Sequence, residues 1–127
     1  VERGPGMTAT LTRSETTTAR IRAGRRFARS VAAEIVRRFD PERVILFGSY
    51  AYGTPNRDSD VDLMVVCRSG ERPLDLAVRM DANISNRLLP IDLMAITPTQ
   101  MRRRLAGFDP FLEEVLKRGI VLHARHG

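Results

Sequence analysis

At 127 residues, 43% apolar and 28% charged, the chain has the composition of one compact core, with no room for a separate substrate domain and no disordered-protein bias. No apolar run approaches the roughly 20 residues a bilayer span needs, and no basic-then-apolar leader opens the sequence, so a soluble, cytoplasmic protein with no membrane partner is expected. The formal charge of +6 admits phosphates, nucleic acid or an acidic partner, although a solvated helix face in an arginine-rich protein explains it as well and is the reading preferred from composition alone.

Residues 1–18 carry early glycines, a proline and many threonines without an apolar period, which predicts a flexible tail leading into a helix near Thr17 or Thr18. Residues 19–127 then form a single domain. Phe27, Val31, Ile35 and Phe39 recur every four residues, the mark of an amphipathic helix, with Arg22, Arg26, Arg29 and Arg37 outside. Asp40-Pro41 ends it, because a residue before proline is pushed out of helical geometry. Val44 to Phe47 is a short strand running into Gly48-Ser49, and Tyr52 to Ser59 is a polar loop. Val61 to Cys67 is apolar on both faces after its opening aspartates, so it belongs inside a sheet, with Cys67 as a small buried hydrophobe. A single cysteine excludes an internal disulfide and a thiolate metal cluster.

Pro73 opens a helix expected to carry Leu74, Val78, Ile84 and Leu88, and Ile91 to Ile96 is a third strand. Thr97-Pro98-x-Gln100 and Asp109-Pro110 start two further helices, the second closed by Gly119. Ile120 to His123 makes an edge strand. This order predicts an α/β fold, a small mixed sheet flanked by helices.

Chemistry concentrates between Phe47 and Leu63. Gly48 permits close backbone approach to a ligand, Ser49 can cap the following turn, and a phosphate suits the N–H groups there. Asp60 and Asp62 are alternate residues and project to one side of a strand's start. Two such carboxylates repel unless a cation or a proton intervenes, and magnesium prefers oxygen ligands of this kind. Asp92, flanked by Ile91 and Leu93, is costly to bury ionised without a partner, and a neighbouring strand would set it beside the pair. Arg57 in the loop is a candidate phosphate ligand. Asp58 is read as a turn former, Tyr50 and Tyr52 as base-stacking or packing residues, Arg102-Arg103-Arg104 as a solvated run, and His123 and His126 as without catalytic role.

Gly48-Ser49, then Asp60-Val61-Asp62, then Ile91-Asp92-Leu93 resembles the DNA polymerase beta-like nucleotidyltransferase superfamily, and the short chain resembles its minimal nucleotidyltransferases. The match covers roughly residues 43–96. The resemblance implies ATP or another nucleoside triphosphate and two Mg2+ ions, with Mn2+ an open alternative. It places Gly48 and Ser49 at the triphosphate, Asp60 and Asp62 on the metals, and Asp92 as further metal ligand and base for an acceptor hydroxyl. It further implies AMP transfer to a tyrosine of a cognate HEPN ribonuclease toxin, an antitoxin role, although self-association suits the small domain equally. Transfer to a small molecule or an RNA end, and a non-catalytic antitoxin that acts by binding, are the competing expectations.

Overall fold

Residues 11–125 are described by the computed structural model. In chain order they form α1 (Arg13–Phe39), β1 (Arg43–Phe47), α2 (Ser49–Tyr52), β2 (Val61–Val66), α3 (Pro73–Ala82), β3 (Ile91–Ile96), α4 (Pro98–Ala106), α5 (Pro110–Arg118) and β4 (Ile120–Ala124). The strands make one sheet in the order β3-β2-β1-β4. β1 is antiparallel to both β2 and β4, whereas β3 runs parallel to β2. The sheet is therefore mixed, as the sequence pattern predicts, with β2 interior and β4 at an edge. No helix among the described residues is long and apolar enough to cross a membrane.

Alternation along the strands splits the core in two. Val44, Leu46, Val61, Leu63 and Val65 face α1 and α3, and pack on Phe27, Val31, Ile35, Leu76 and Met80. Ile45, Phe47, Met64 and Val66 face α4 and α5, and pack on Met101, Leu112 and Val115. Cys67 is buried, as expected.

Helix ends follow local chemistry. Thr97 accepts from Gln100 N–H at 3.1 Å while Gln100 Oε1 accepts from Thr97 N–H at 3.0 Å, a complete capping box. Asp109 caps α5 by accepting from Leu112 N–H at 2.9 Å. α1 starts at Arg13, so residues 13–18 are helical and not part of a tail. Thr12 accepts from Glu15 N–H at 3.1 Å, a cap hidden within the threonine run. Residues 1–10 of the expected tail, and His126, lie outside the described residues.

The expected face of α3 needs correcting. Leu76, Ala77 and Met80 are buried, while Leu74 and Val78 are exposed. The helix stops at Ala82, leaving Ile84 buried and Leu88 exposed beyond it. The cause is long-range: Glu34 of α1 is buried and accepts from Ser85 N–H at 3.1 Å and Ser85 Oγ at 2.6 Å. Those bonds pin the chain after α3 and hold the Glu34 carboxyl below its ordinary range.

Gly24 is buried in α1 against the ring of Tyr50, and a Cβ there would lie 3.0 Å from Tyr50 Cγ and closer still to two other ring carbons. Gly24→Ala gains about 1 kcal/mol in helix propensity. Overpacking costs more, roughly 1–3 kcal/mol. The expected outcome is a lower melting temperature, measured by circular dichroism, with a displaced α2.

Candidate active site

β1 ends at Phe47, whose ladder partner is Asp62, and Asp62 is in turn paired with Asp92 across the parallel β2–β3 ladder. Neighbouring strands lie about 4.8 Å apart, so the two aspartates occupy adjacent positions on the same face of the sheet. Asp60 precedes β2 by one residue, and both Asp60 and Asp92 are close enough to act electrostatically on Asp62. The three candidate carboxylates thus come together at one end of the sheet. Strand alternation sets Asp62 on the face that carries α4 and α5.

They are not equivalent. Asp60 and Asp92 are exposed, and Asp62 is half-buried. Burial first, then the charges of Asp92 and Asp60, push the Asp62 carboxyl up to about 6. The expectation that Asp92 is buried in its strand is overturned. β3 is the edge strand of the sheet, so Asp92 meets solvent on its open side. Its adjacency to Asp62 stands on the ladder register.

Gly48 closes the other side of this group. Its φ of +76° and ψ of −161° belong to a region open essentially to glycine, and a Cβ there would overlap Asp62 Oδ2 and sit 2.9 Å from Asp62 Cγ. The backbone of the turn is thereby pressed against the carboxylate. Gly48, not Ser49, takes the N-cap position of α2, and no side chain caps that helix. Ser49 is the first helical residue, and its hydroxyl makes no hydrogen bond among the described residues.

The loop between the motif halves is held by Asn56 and Ser59. Asn56 Oδ1 accepts from Asp58 N–H at 2.8 Å, and Ser59 Oγ accepts from Asn56 N–H at 2.9 Å. Asp58 therefore contributes a backbone N–H to the turn, and its carboxylate takes no part. Arg57 is exposed on the loop without a hydrogen bond among the described residues. Tyr50 is buried against Gly24, and Tyr52 lies 4.1 Å beneath the Arg118 guanidinium. Packing occupies both rings, so neither is placed as a base-stacking platform.

Arg25 is a residue that sequence reasoning overlooked. From α1 its Nε donates to Tyr50 O at 2.9 Å and its Nη2 to Ala51 O at 3.0 Å. Those carbonyls lie at the C-terminal end of α2, where a cation is favourable and acceptors lack helical partners. The contact fixes the helix that presents Ser49. Charge-assisted bonds of this type contribute about 1.5–3 kcal/mol. Arg25→Ala is expected to weaken nucleoside triphosphate binding by roughly tenfold or more, seen as a raised KM with a smaller change in kcat. Steady-state kinetics with varied ATP checks it, and Arg25→Lys should restore part of the loss.

The donor set suits a hard divalent cation. Three carboxylates and no soft ligand meet there, and the central one sits in a setting that disfavours its unaccompanied charge. As they stand, no three histidine, cysteine, aspartate or glutamate side chains among the described residues are drawn together tightly enough to hold an ion.

A family model described as a nucleotidyltransferase domain matches residues 29–122, which includes the whole sheet through Leu122 and all three aspartates. No curated protein is significantly similar in sequence. Among solved structures, a candidate nucleotidyltransferase from Sulfolobus solfataricus is similar with a TM-score of 0.53 and 19% identity, over 82% of this chain and 99% of that one. A toxin–antitoxin structure with AMP-PNP is similar with a TM-score of 0.49 and 21% identity, over 76% of this chain and 73% of that one. The first of these likenesses is of fold. With the family model spanning most of its length and the Gly48–Asp62–Asp92 arrangement inside the matched region, the chain belongs to the nucleotidyltransferase domain family.

Proposed function

We propose that this nucleotidyltransferase moves AMP from ATP to the hydroxyl of a protein tyrosine on a cognate HEPN-type toxin, and so acts as an antitoxin. The observation that carries the chemical part is the ladder pairing of Asp62 with Asp92, beside Asp60 and against the Gly48 turn. The acceptor rests on the resemblance of this 127-residue sequence to the minimal nucleotidyltransferases.

In this reading Gly48 and Ser49 bind the triphosphate, Gly48 by allowing the backbone close and Ser49 through its free hydroxyl. Asp60, Asp62 and Asp92 would hold magnesium, which when bound neutralises triphosphate charge and favours in-line displacement at the α-phosphorus. Asp92, exposed on its edge strand, would accept the proton of an incoming hydroxyl. Arg57, exposed on the loop, would serve as a phosphate contact. Positioning and charge carry the catalysis, so no side-chain nucleophile is required.

The test is to incubate α-labelled ATP and magnesium with the protein and a lysate of its source cells. Label is expected in a discrete protein band, on tyrosine after hydrolysis, and absent with Asp60→Asn. Label in RNA or in small molecules would contradict the proposed acceptor. Protection of cells from the toxin by an Asp60→Asn/Asp62→Asn variant would contradict transfer as the means of neutralisation.

A further inference from the structure

Ion pairing is distributed unevenly over the surface. Arg68, Arg72, Arg79, Arg87, Arg104, Arg118 and Arg125 each pair with a carboxylate, and every one of them lies outside α1. α1 holds Arg13, Arg20, Arg22, Arg25, Arg26, Arg29, Arg37 and Arg38, and none of these pairs with a carboxylate among the described residues. Its two acids do not offset them, because Glu15 sits in the first turn and Glu34 is buried on Ser85. A merely solvated helix commonly intersperses both signs at i,i+4 spacing, and this one does not.

The unpaired cations line a groove. One cavity of about 320 Å³ runs beside Thr18, Ile21, Arg22, Arg25 and Arg29. A second, of about 370 Å³, is lined by Arg29, Ala32, Val36 and Arg37 of α1 together with Leu122 and His123 of β4. Arg29 borders both, so the two follow one face of the helix as a continuous track. From Arg22 to Arg37 it is about 22 Å long at the rise of an α-helix. At its far end the buried His123 Nε2 has no hydrogen-bond partner among the described residues, and an orphaned buried nitrogen calls for a polar ligand.

We infer that the α1 groove, from Arg22 through Arg29 to Arg37 and His123, binds the phosphate backbone of a nucleic acid. Guanidinium groups repeated along a track match a repeating phosphate charge. An acidic protein surface fits less well. Stable protein interfaces rest on large aromatic anchors, and α1 offers only the partly buried Ile21 and Val36 at the groove, since Phe27 is buried in the core. The same lack of exposed aromatic rings leaves no platform for stacking bases, so the contact is made to phosphates and tolerates any sequence.

The test is fluorescence anisotropy of the full chain with labelled oligouridylate and with a labelled RNA duplex, titrated at several salt concentrations. Four cations on the track give an expected slope of about −3 in log affinity against log salt, a loss of roughly 50-fold between 50 and 200 mM. Arg22→Glu/Arg29→Glu should weaken binding more than about tenfold and roughly halve the slope. Neither side chain bonds to the rest of the described chain, so melting temperature should hold. Arg72→Glu at the N-cap of α3 should bind as the parent does, and Asp62→Asn should keep the binding, which separates this surface from the candidate active site. Absence of binding at low salt, indifference to the double substitution, or loss in Asp62→Asn would overturn the proposal. Displacement by polyglutamate as effective as by unlabelled polyuridylate would overturn it in favour of an acidic protein partner.

Discussion

Asp62→Asn is expected to reduce nucleotidyl transfer by on the order of 10³-fold and, in metal-free buffer at neutral pH, to melt several degrees above the parent protein. The two effects share one cause. Asp62 is half-buried between like charges, and its carboxyl is pushed up to about 6 in the folded protein from an ordinary 3.8. The folded state therefore binds more protons than the unfolded chain between those values, and stability falls as pH rises from about 4 to about 6. A shift of that size has a ceiling of roughly 3 kcal/mol. Solvent screening of a partly exposed group brings the figure nearer to about 1 kcal/mol. Asparagine removes the charge at nearly constant shape, so the gap in melting temperature should open across this pH window, stay level above it and close near pH 4. Thermal melts of both proteins in chelator, from acid to neutral pH, check it. Equal melting temperatures at neutral pH would mean that Asp62 carries no unfavourable charge there.

Gly48→Ala is expected to damage both stability and transfer. A side chain at φ +76° with an extended ψ costs about 1–3 kcal/mol in backbone strain. Its Cβ would also overlap the Asp62 carboxylate, so the turn or the aspartate must move. Displacement by about 1 Å at such a site costs on the order of 10²-fold in rate. Gly53→Ala separates the two contributions. Gly53 also has a positive φ, of +87°, yet nothing lies within 4 Å of a Cβ placed there. That variant should lose roughly 1–2 kcal/mol in denaturant unfolding and keep its transfer rate within a few-fold. If Gly48→Ala were no slower than Gly53→Ala, the contact between the turn and Asp62 would have no part in activity.

The sheet and most helix boundaries were legible because they rest on short-range chemistry. The short apolar runs from Val44 to Phe47 and from Val61 to Val66, the Thr97–Gln100 box and the Asp109 cap all act within a few residues. The coming together of Asp60, Asp62 and Asp92 was legible for a related reason, since two strands with aspartate at their openings align naturally in a parallel pair. The exposure of Asp92 was not, because whether β3 lies at an edge depends on strand order and not on the residues of β3. The face of α3 was ambiguous for a similar reason. Leu74, Leu76, Ala77, Val78 and Met80 offer two apolar stripes, and only the tie between Glu34 and Ser85 shows which one the chain buries. Arg25, bonded to Tyr50 and Ala51, and Gly24, packed on Tyr50, spring from contacts about 25 residues apart along the chain. A glycine inside a helix of otherwise good formers was the one available hint.

The central claim is that the carboxylates of Asp60, Asp62 and Asp92 serve transfer of a nucleotidyl group. The direct measurement is a parallel incubation of the protein and its acceptor with ATP labelled at the α- or at the γ-phosphorus, with Asp62→Asn as control. Label from the α-position is expected to join the acceptor, label from the γ-position to leave as pyrophosphate, and Asp62→Asn to transfer neither. Transfer of the γ-label, or undiminished α-transfer by Asp62→Asn, would contradict the claim.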